Sequence, residues 1–353
     1  MTLRQAHVVG QSASRYDAGM VAAPPTPSAV DADTVSAPAD SRGVAWWRRW
    51  EIPTWLVAVA IYGAWAGLVL FHAVIPWPLL VVAGAYVLAW HFSLQHEAIH
   101  GWRSIPLWLR TALVWPPLGG WLPFALYRHS HTVHHRNHHL TYPGLDTESV
   151  YHREEDWARY SKAWRAVLMF NQTLLGRMLI GPVLRLRKLL LTEGALVRAG
   201  DFRNGGIWLR FAVGLAAVLW FVSSVAHMPI WKYYLLMVYP AFSLGLVRAF
   251  IEHRWGEHPE ERVASVESNW VFGLVFLWNN LHIVHHLDPV LPWYEIPGAY
   301  RRDREGLLRR NGSYVFRGYG EIARRWLLRP VFIPIHPRGS PDKAVTPAAR
   351  RGA

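Results

Sequence analysis

Pro116-Pro117-Leu118-Gly119-Gly120-Trp121-Leu122-Pro123 interrupts a segment, residues 106–127, that is otherwise long and apolar enough to cross a membrane. Three prolines and a glycine pair remove backbone donors and stiffness together, so no continuous helix runs through them. The reading predicts a re-entrant or surface-lying path, because irregular backbone at membrane depth needs cover from protein or a polar cavity. If the segment does not cross, everything before and after it lies on one side of the bilayer.

Four uninterrupted apolar stretches surround it, at residues 52–71, 75–92, 207–226 and 230–251. Each is close to the ~20 residues that span a hydrocarbon core. Buried helices of a soluble protein are the competing reading, but such helices rarely reach this length with so few charges. The links at 72–74 and 227–229 are so short that the four pair into two hairpins. Residues 270–281 are too few to span. They are expected at the interface with 106–127, anchored by Trp121, Trp270 and Trp278. Trp46-Trp47-Arg48-Arg49-Trp50, just before the first stretch, has the alternation of an interfacial anchor.

The chain has 353 residues, 52% hydrophobic, with mean hydropathy of only +0.08, since strongly polar parts dilute the spans. Lys and Arg number 37 against 24 Asp and Glu, a net charge of +13. A nucleic-acid partner or a membrane protein with basic cytoplasmic segments gives the same sum, and position decides. Arg48 and Arg49 precede the first span; Arg153, Arg159, Lys162, Arg165, Arg185, Arg187 and Lys188 lie between the hairpins. A further run from Arg301 to Arg329 follows the last span, while the short turns hold almost nothing beyond Lys232. The excess of positive charge then puts both termini and the central segment in the cytoplasm. No nucleic-acid module is present, so no nucleic-acid partner is expected.

Residues 1–44, rich in Ala, Ser, Pro and Asp without hydrophobic period, are predicted to be a disordered tail. No apolar stretch near Met1 suits a secretory signal. Residues 45–300 form the membrane domain, and 301–353 a basic cytoplasmic segment whose end is predicted disordered.

There is no cysteine, which excludes disulfides, thiol nucleophiles, zinc ribbons and cysteine-held iron–sulfur clusters. Any metal must be held by His, Asp or Glu. Of the 19 histidines, eleven fall in three tight groups. These are His96 and His100; His129, His131, His134, His135, His138 and His139; and His282, His285 and His286. On helices, His96 and His100 share a face, as do His131, His134 and His135, and likewise His282, His285 and His286. Two HxxHH patterns and an HxxxH in one chain are very hard to explain as packing. Given the non-crossing path of 106–127, all three groups converge on the cytoplasmic face. Eight imidazoles exceed what one ion coordinates, so two metal ions are the economical reading. Neutral imidazole suits iron, copper, nickel and zinc alike. A target buried in lipid favours a redox metal that activates O2 over a hydrolytic zinc. Asp146, Glu148 and Glu97 are candidates to orient ligand imidazoles from behind, as are Asn280 and its neighbour Asn279, which can equally be helix caps. His152, His227, His258 and His336 read as surface residues.

The order HxxxH, HxxHH, HxxHH across two membrane hairpins resembles the membrane-bound fatty acid desaturase superfamily, which includes acyl desaturases and carotenoid ketolases and hydroxylases. The resemblance spans roughly residues 55–300. It rests on Gln95-His96-Glu97-Ala98-Ile99-His100-Gly101, Tyr127-Arg128, Leu140-Thr141, Asp146-Thr147-Glu148, Asn280-Leu281-His282-Ile283-Val284-His285-His286 and Pro292-Trp293-Tyr294. It implies an all-α integral membrane fold, four transmembrane helices in two hairpins with a cytoplasmic helical cap holding a di-metal site. It also implies two iron ions, O2 as co-substrate and two electrons from an external carrier. Tyr127-Arg128 selects the frame His131, His134, His135 over His135, His138, His139. His253 occupies the place where desaturases often add a ninth ligand, whereas Ala249 stands where some acyl desaturases supply an Asn.

The expectation is a bacterial-type, multi-pass inner-membrane desaturase that introduces a double bond into a fatty acyl chain of a lipid or acyl carrier. A hydroxylase or ketolase of a fatty acyl, alkane or carotenoid chain uses the same irons and is the alternative. A metal transporter is a third, but it requires ligands near the bilayer midplane rather than at helix ends. No Gly-rich dinucleotide fingerprint or P-loop is present. Electrons are therefore expected from a separate acidic carrier, of ferredoxin or cytochrome type, docking on the Arg-rich cytoplasmic face.

Overall fold

The computed structural model describes residues 45–100, 105–136 and 139–339. The tail 1–44, His138 of the alternative frame, Gly101 and the end of the basic C-terminal segment lie outside the described residues.

A short helix α1 (Trp46–Arg49) leads into α2 (Ile52–Leu70) and α3 (Trp77–His100). Prolines sit near the start of both long helices, where a missing N–H costs nothing. The second long pair is α9 (Gly205–Trp220), prolonged by a π-turn to Val225, and α10 (Ile230–Tyr233), which runs through a second π-turn into α11 (Tyr239–Arg248). Among the described residues these are the four single helices long and apolar enough to cross a membrane, by length and composition. Helix α3 is the hub: α2, the 234–238 turn and α11 all pack on it. Gly84 permits a close approach to the 234–238 turn, since a Cβ there would lie 2.6 Å from Met237. By contrast α9 buries only Gly214 and Val218, and presents Leu209, Val213 and Trp220 outward. A helix apolar but for Arg210 near its start, and exposed on most of its circumference, is suited to lipid. At the ends away from the histidines, Lys232 donates to His72 Nδ1 and to its carbonyl (3.1 and 3.2 Å), so the two short turns meet.

The Pro/Gly segment forms no continuous helix long enough to cross a membrane. Helix α4 (Leu107–Val114) stops at Trp115, the chain loops through residues 115–123, and α5 (Phe124–Arg136) returns. The loop lies among the apolar helices, with Leu118 and Val114 fully buried. Irregular backbone there must find donors, and it does. Tyr62 donates to the Leu113 carbonyl (2.5 Å), Gln95 to Val114 (3.2 Å), Tyr233 to Leu118 (2.5 Å) and Tyr234 to Gly120 (3.5 Å). Side chains of three spans thus satisfy the carbonyls that the broken helix leaves open. Gly119 lies against Phe92, two turns before His100 and hence about 12 Å along α3 from it. Of the three expected anchors only Trp270, 69% exposed, faces outward. Trp121 packs edge-on against Phe242, and the Trp278 ring fills the space beside Gly273.

Between the two long pairs come α6 (Glu154–Arg159), α7 (Lys162–Phe170) and α8 (Leu174–Arg198). Helices α7 and α8 meet at a 115° bend. Nothing in the basic charge of this stretch announces so long a helix, and Pro182 argues against it. The proline removes the donor for the Met178 carbonyl. Ser243 Oγ of α11 supplies one instead (2.7 Å), and Tyr239 bonds the next carbonyl, that of Leu179. Tertiary contact thereby rescues a helix that the local sequence would break.

After α11 the chain forms β1 (Ser265–Val266), α12 (Trp270–Val275), α13 (His282–Leu287), α14 (Ile296–Arg302), α15 (Arg304–Arg310), β2 (Val315–Phe316) and α16 (Tyr319–Trp326). β1 and β2 pair in parallel, Ser265 opposite Val315. The protein is otherwise mostly helical. Residues 301–339 pack against the rest: Tyr314, Phe316, Tyr319 and Ile322 join Val247, Phe250 and Ile251 in one buried cluster.

Candidate metal centre

Four elements deliver imidazoles to one place. α3 ends in His96 and His100, α5 carries His131, His134 and His135, and α13 carries His282, His285 and His286. His253 follows α11 and is held by an antiparallel bridge to Val263. The nine form two groups, within each of which the candidate ligand atoms lie within 4.8 Å of one another. His96, His100, His131, His135 and His285 make one; His134, His253, His282 and His286 make the other. The sequence motifs are therefore split. His131 and His135, a full turn apart, face one group while His134 faces the second, and α13 divides in the same way. His129 and His139 belong to neither group. Ala249 brings no donor atom.

The rings are oriented from behind. His131 Nδ1 meets Glu148 Oε1 and His134 Nδ1 meets Asp146 Oδ1, both at 2.8 Å. His282 Nδ1 meets Asn279 Oδ1 (2.9 Å) and His253 Nδ1 the Arg262 carbonyl (3.2 Å). An imidazole that donates from Nδ1 presents a lone pair at Nε2, which fixes the tautomer a metal needs. The Nε2 atoms then converge: His135 on His131 (3.1 Å) and on His285 (3.0 Å), His282 on His253 and on His286 (both 3.2 Å). His100 Nε2 and His134 Nε2 are buried without any hydrogen-bond partner. Lone pairs aimed at one another, and buried nitrogens with no donor, fit a donor set that holds cations and fit a hydrogen-bonded core badly.

Charge agrees with this. Burial and the neighbouring rings push His135, His282, His285 and His286 down, and burial takes His253 down to about 3, so these rings stay neutral. Burial opposes ionisation of Glu148 too, yet His131 and His134 hold its carboxyl well below the ordinary value. Two carboxylates, Asp146 and Glu148, thus sit behind the rings as counter-charge.

Three expectations shift in detail. Asn280 does not reach a ring; its amide donates to the Val266 carbonyl (2.7 Å), and Asn279 does the orienting. Asn279 also extends its amide to His96 Nε2 (3.3 Å), so one side chain touches both groups. The cause is local: Leu277 and Trp278 both take left-handed φ (47° and 58°), turning the chain tightly before α13. Glu97 lies buried but accepts the Trp293 N–H (3.3 Å) rather than an imidazole proton. His336 is not on the surface; it is 2% exposed. The sequence reading missed Glu252, buried beside Arg248 (3.3 Å) and 3.8 Å from His282 Nδ1. Its only signal was a carboxylate next to His253.

Apolar helices of membrane length, together with two convergent sets of imidazoles backed by carboxylates, define a membrane-type protein with a histidine-lined site that could hold metal. A family model described as fatty acid desaturase matches residues 72–318, more than two thirds of the chain. The protein belongs to the fatty acid desaturase family, which makes it an oxidoreductase of fatty-acyl chains associated with a membrane. No curated protein matches it.

Proposed function

We propose that the protein is an O2-dependent di-iron oxidoreductase that introduces a double bond into a fatty acyl chain of a membrane lipid or acyl carrier. The observation that carries this is the division of nine histidines into a group of five and a group of four, within each of which the candidate ligand atoms lie within 4.8 Å of one another. Bound there, two irons would supply the activation of O2 needed to remove hydrogens from an unactivated chain. The balance is one O2, two external electrons and two protons taken up, two hydrogens removed from adjacent carbons, and two waters formed.

The chain's own residues provide the rest. Asp146, Glu148, Asn279 and the Arg262 carbonyl hold four rings in the metal-ready tautomer. Burial of His131, His134, His282 and His285 to within 3% of full enclosure excludes water that would quench a reactive centre. Helix α3 carries His96 and His100 at its end and an apolar surface below, a placement suited to an acyl chain approaching from the lipid side. The arginine asymmetry of the chain supports a cytoplasmic location for the histidine end and both termini. An acidic carrier of ferredoxin or cytochrome type would deliver electrons there. A cleft lined by Arg304, Arg317, Arg324 and Arg325, with Glu267 and Glu321, suits it. Val315 of β2 also lines it, and β1 beside it is tied to the chain around α13: Val266 N–H donates to the Asn280 carbonyl (2.8 Å), and Ile283 N–H to the carbonyl of Ala264, which precedes β1 (3.2 Å).

His134→Ala or His285→Ala, taken from different groups, should each lower iron content and abolish product. Full activity in either variant would sink the assignment. Mass analysis of membrane lipids on expression reads the reaction itself: loss of two hydrogens is desaturation, whereas gain of an oxygen would transfer the same site to a hydroxylase or ketolase.

A further inference from the structure

Residues 331–339 run back across the loop that holds Asp146. His152 N–H donates to the Pro334 carbonyl (2.7 Å), His336 N–H returns to the His152 carbonyl (3.0 Å), and Val331 N–H bonds Gln172 (3.0 Å). Arg338 pins the far end by its ion pair with Glu257 (2.6 Å). Between these ties the His336 ring is pressed under Tyr142 and Tyr151, with centroids 4.1 and 5.4 Å away. Its Nδ1 accepts the Arg338 backbone N–H (3.3 Å). Nε2 therefore carries the ring proton, and it points at Thr141 Oγ1 (3.4 Å).

Thr141 is the unusual residue here. Its φ of 78° is left-handed, a conformation that a β-branched side chain adopts only when its surroundings over-determine it. That conformation aims its N–H at Asp146 Oδ2 (2.8 Å) and its carbonyl at Ser149 Oγ (2.5 Å). The other oxygen of Asp146 holds His134 Nδ1 and also takes the Glu148 N–H (2.9 Å). A continuous line of contacts thus runs from the C-terminal strap to one imidazole of the four-histidine group.

We propose that His336 is a positioning residue for that group: by holding the Thr141 hydroxyl it maintains the strained turn that sets Asp146, and through Asp146 the direction of the His134 lone pair. The inference rests on the two-metal reading above, and it makes the C-terminal strap part of the metal centre. It also gives a reason for a buried neutral histidine far in sequence from every histidine motif.

The test uses the full-length protein purified in detergent, loaded with ferrous iron, with iron stoichiometry and chelator-driven release as readouts. The parent should hold two irons. His336→Ala should release one of them about tenfold faster, the scale at which outer partners tune a metal site, and leave the other unchanged. Thr141→Val, which keeps every backbone bond, should do the same; the double variant should add nothing further, because both act on one contact. His336→Gln, whose amide can still donate to Thr141, should restore slow release. Unchanged release in His336→Ala, equal acceleration of both irons, or additive effects in the double variant would each overturn the proposal. Should His336→Ala fail to fold, Thr141→Val decides alone, and parent-like release from it refutes the role. A parent that takes up no iron removes the two-metal reading itself, whereas two tightly held irons with an indifferent His336 remove only this inference.

Discussion

His134 differs from the rings around it in charge. Burial disfavours its protonation, but Glu148 and Asp146 outweigh burial and push it up to about 9. Asp146 is held below the ordinary carboxylate value by the same contact. These carboxylates favour a proton on that ring, and a cation bound in the four-histidine group would take the proton's place. Asp146→Asn should therefore weaken metal affinity of that group about 10–100-fold while sparing the five-histidine group. Competition with a chelator of known strength measures both constants, and equal weakening of the two would show that Asp146 merely holds its turn together. At this scale the candidate ligands of the three motifs were readable, because i, i+3 and i+4 spacing is a property of one helix. The choice between Asn279 and Asn280 was not readable, because it depends on two left-handed residues that only packing of Trp278 against Gly273 explains.

The element that shapes the interior is the loop 115–123. Its proline and glycine content was enough to deny a continuous helix between α3 and α5, but not to show that the loop would be stitched to Tyr62, Gln95, Tyr233 and Tyr234. Gly119→Ala would place a Cβ 2.5 Å from the Phe92 ring. We expect a cost of about 1–3 kcal/mol from overpacking, seen as a lower unfolding temperature in detergent. Gly63→Ala, with nothing within 4 Å of the added carbon, is the control and should be neutral or stabilising. Equal stability of both variants would mean that the loop yields to Phe92 and is not tightly packed. Helix α8 shows the opposite limit of sequence reading. Pro182 and the basic residues concealed it, and the hydroxyl of Ser243, on another helix, makes it continuous.

At the scale of the whole molecule the proposals concern sides and partners. The chain has no cysteine, so single cysteines report sidedness without background. His227→Cys, in the turn before α10, and Arg309→Cys, on α15, should react with a membrane-impermeant maleimide from opposite faces. Reaction from the same face would cancel the proposed topology. Reversing Arg317 and Arg324 together to Glu should slow reduction by an acidic carrier on the order of tenfold at low salt, with the difference shrinking as salt rises. Reduction by a small neutral reductant should not change. A carrier rate indifferent to both reversals would place docking elsewhere.

What the sequence determined by itself was local and periodic: four apolar lengths, one broken segment, and three histidine motifs each confined to a single helical face. Those features follow from composition and from the 3.6-residue repeat, which no distant contact alters. Only the tertiary structure decided how the nine imidazoles sort into five and four. Neighbours on one helix, such as His134 and His135, part company there because three helices and a bridged loop approach from different directions, and lone pairs are grouped by where those axes meet.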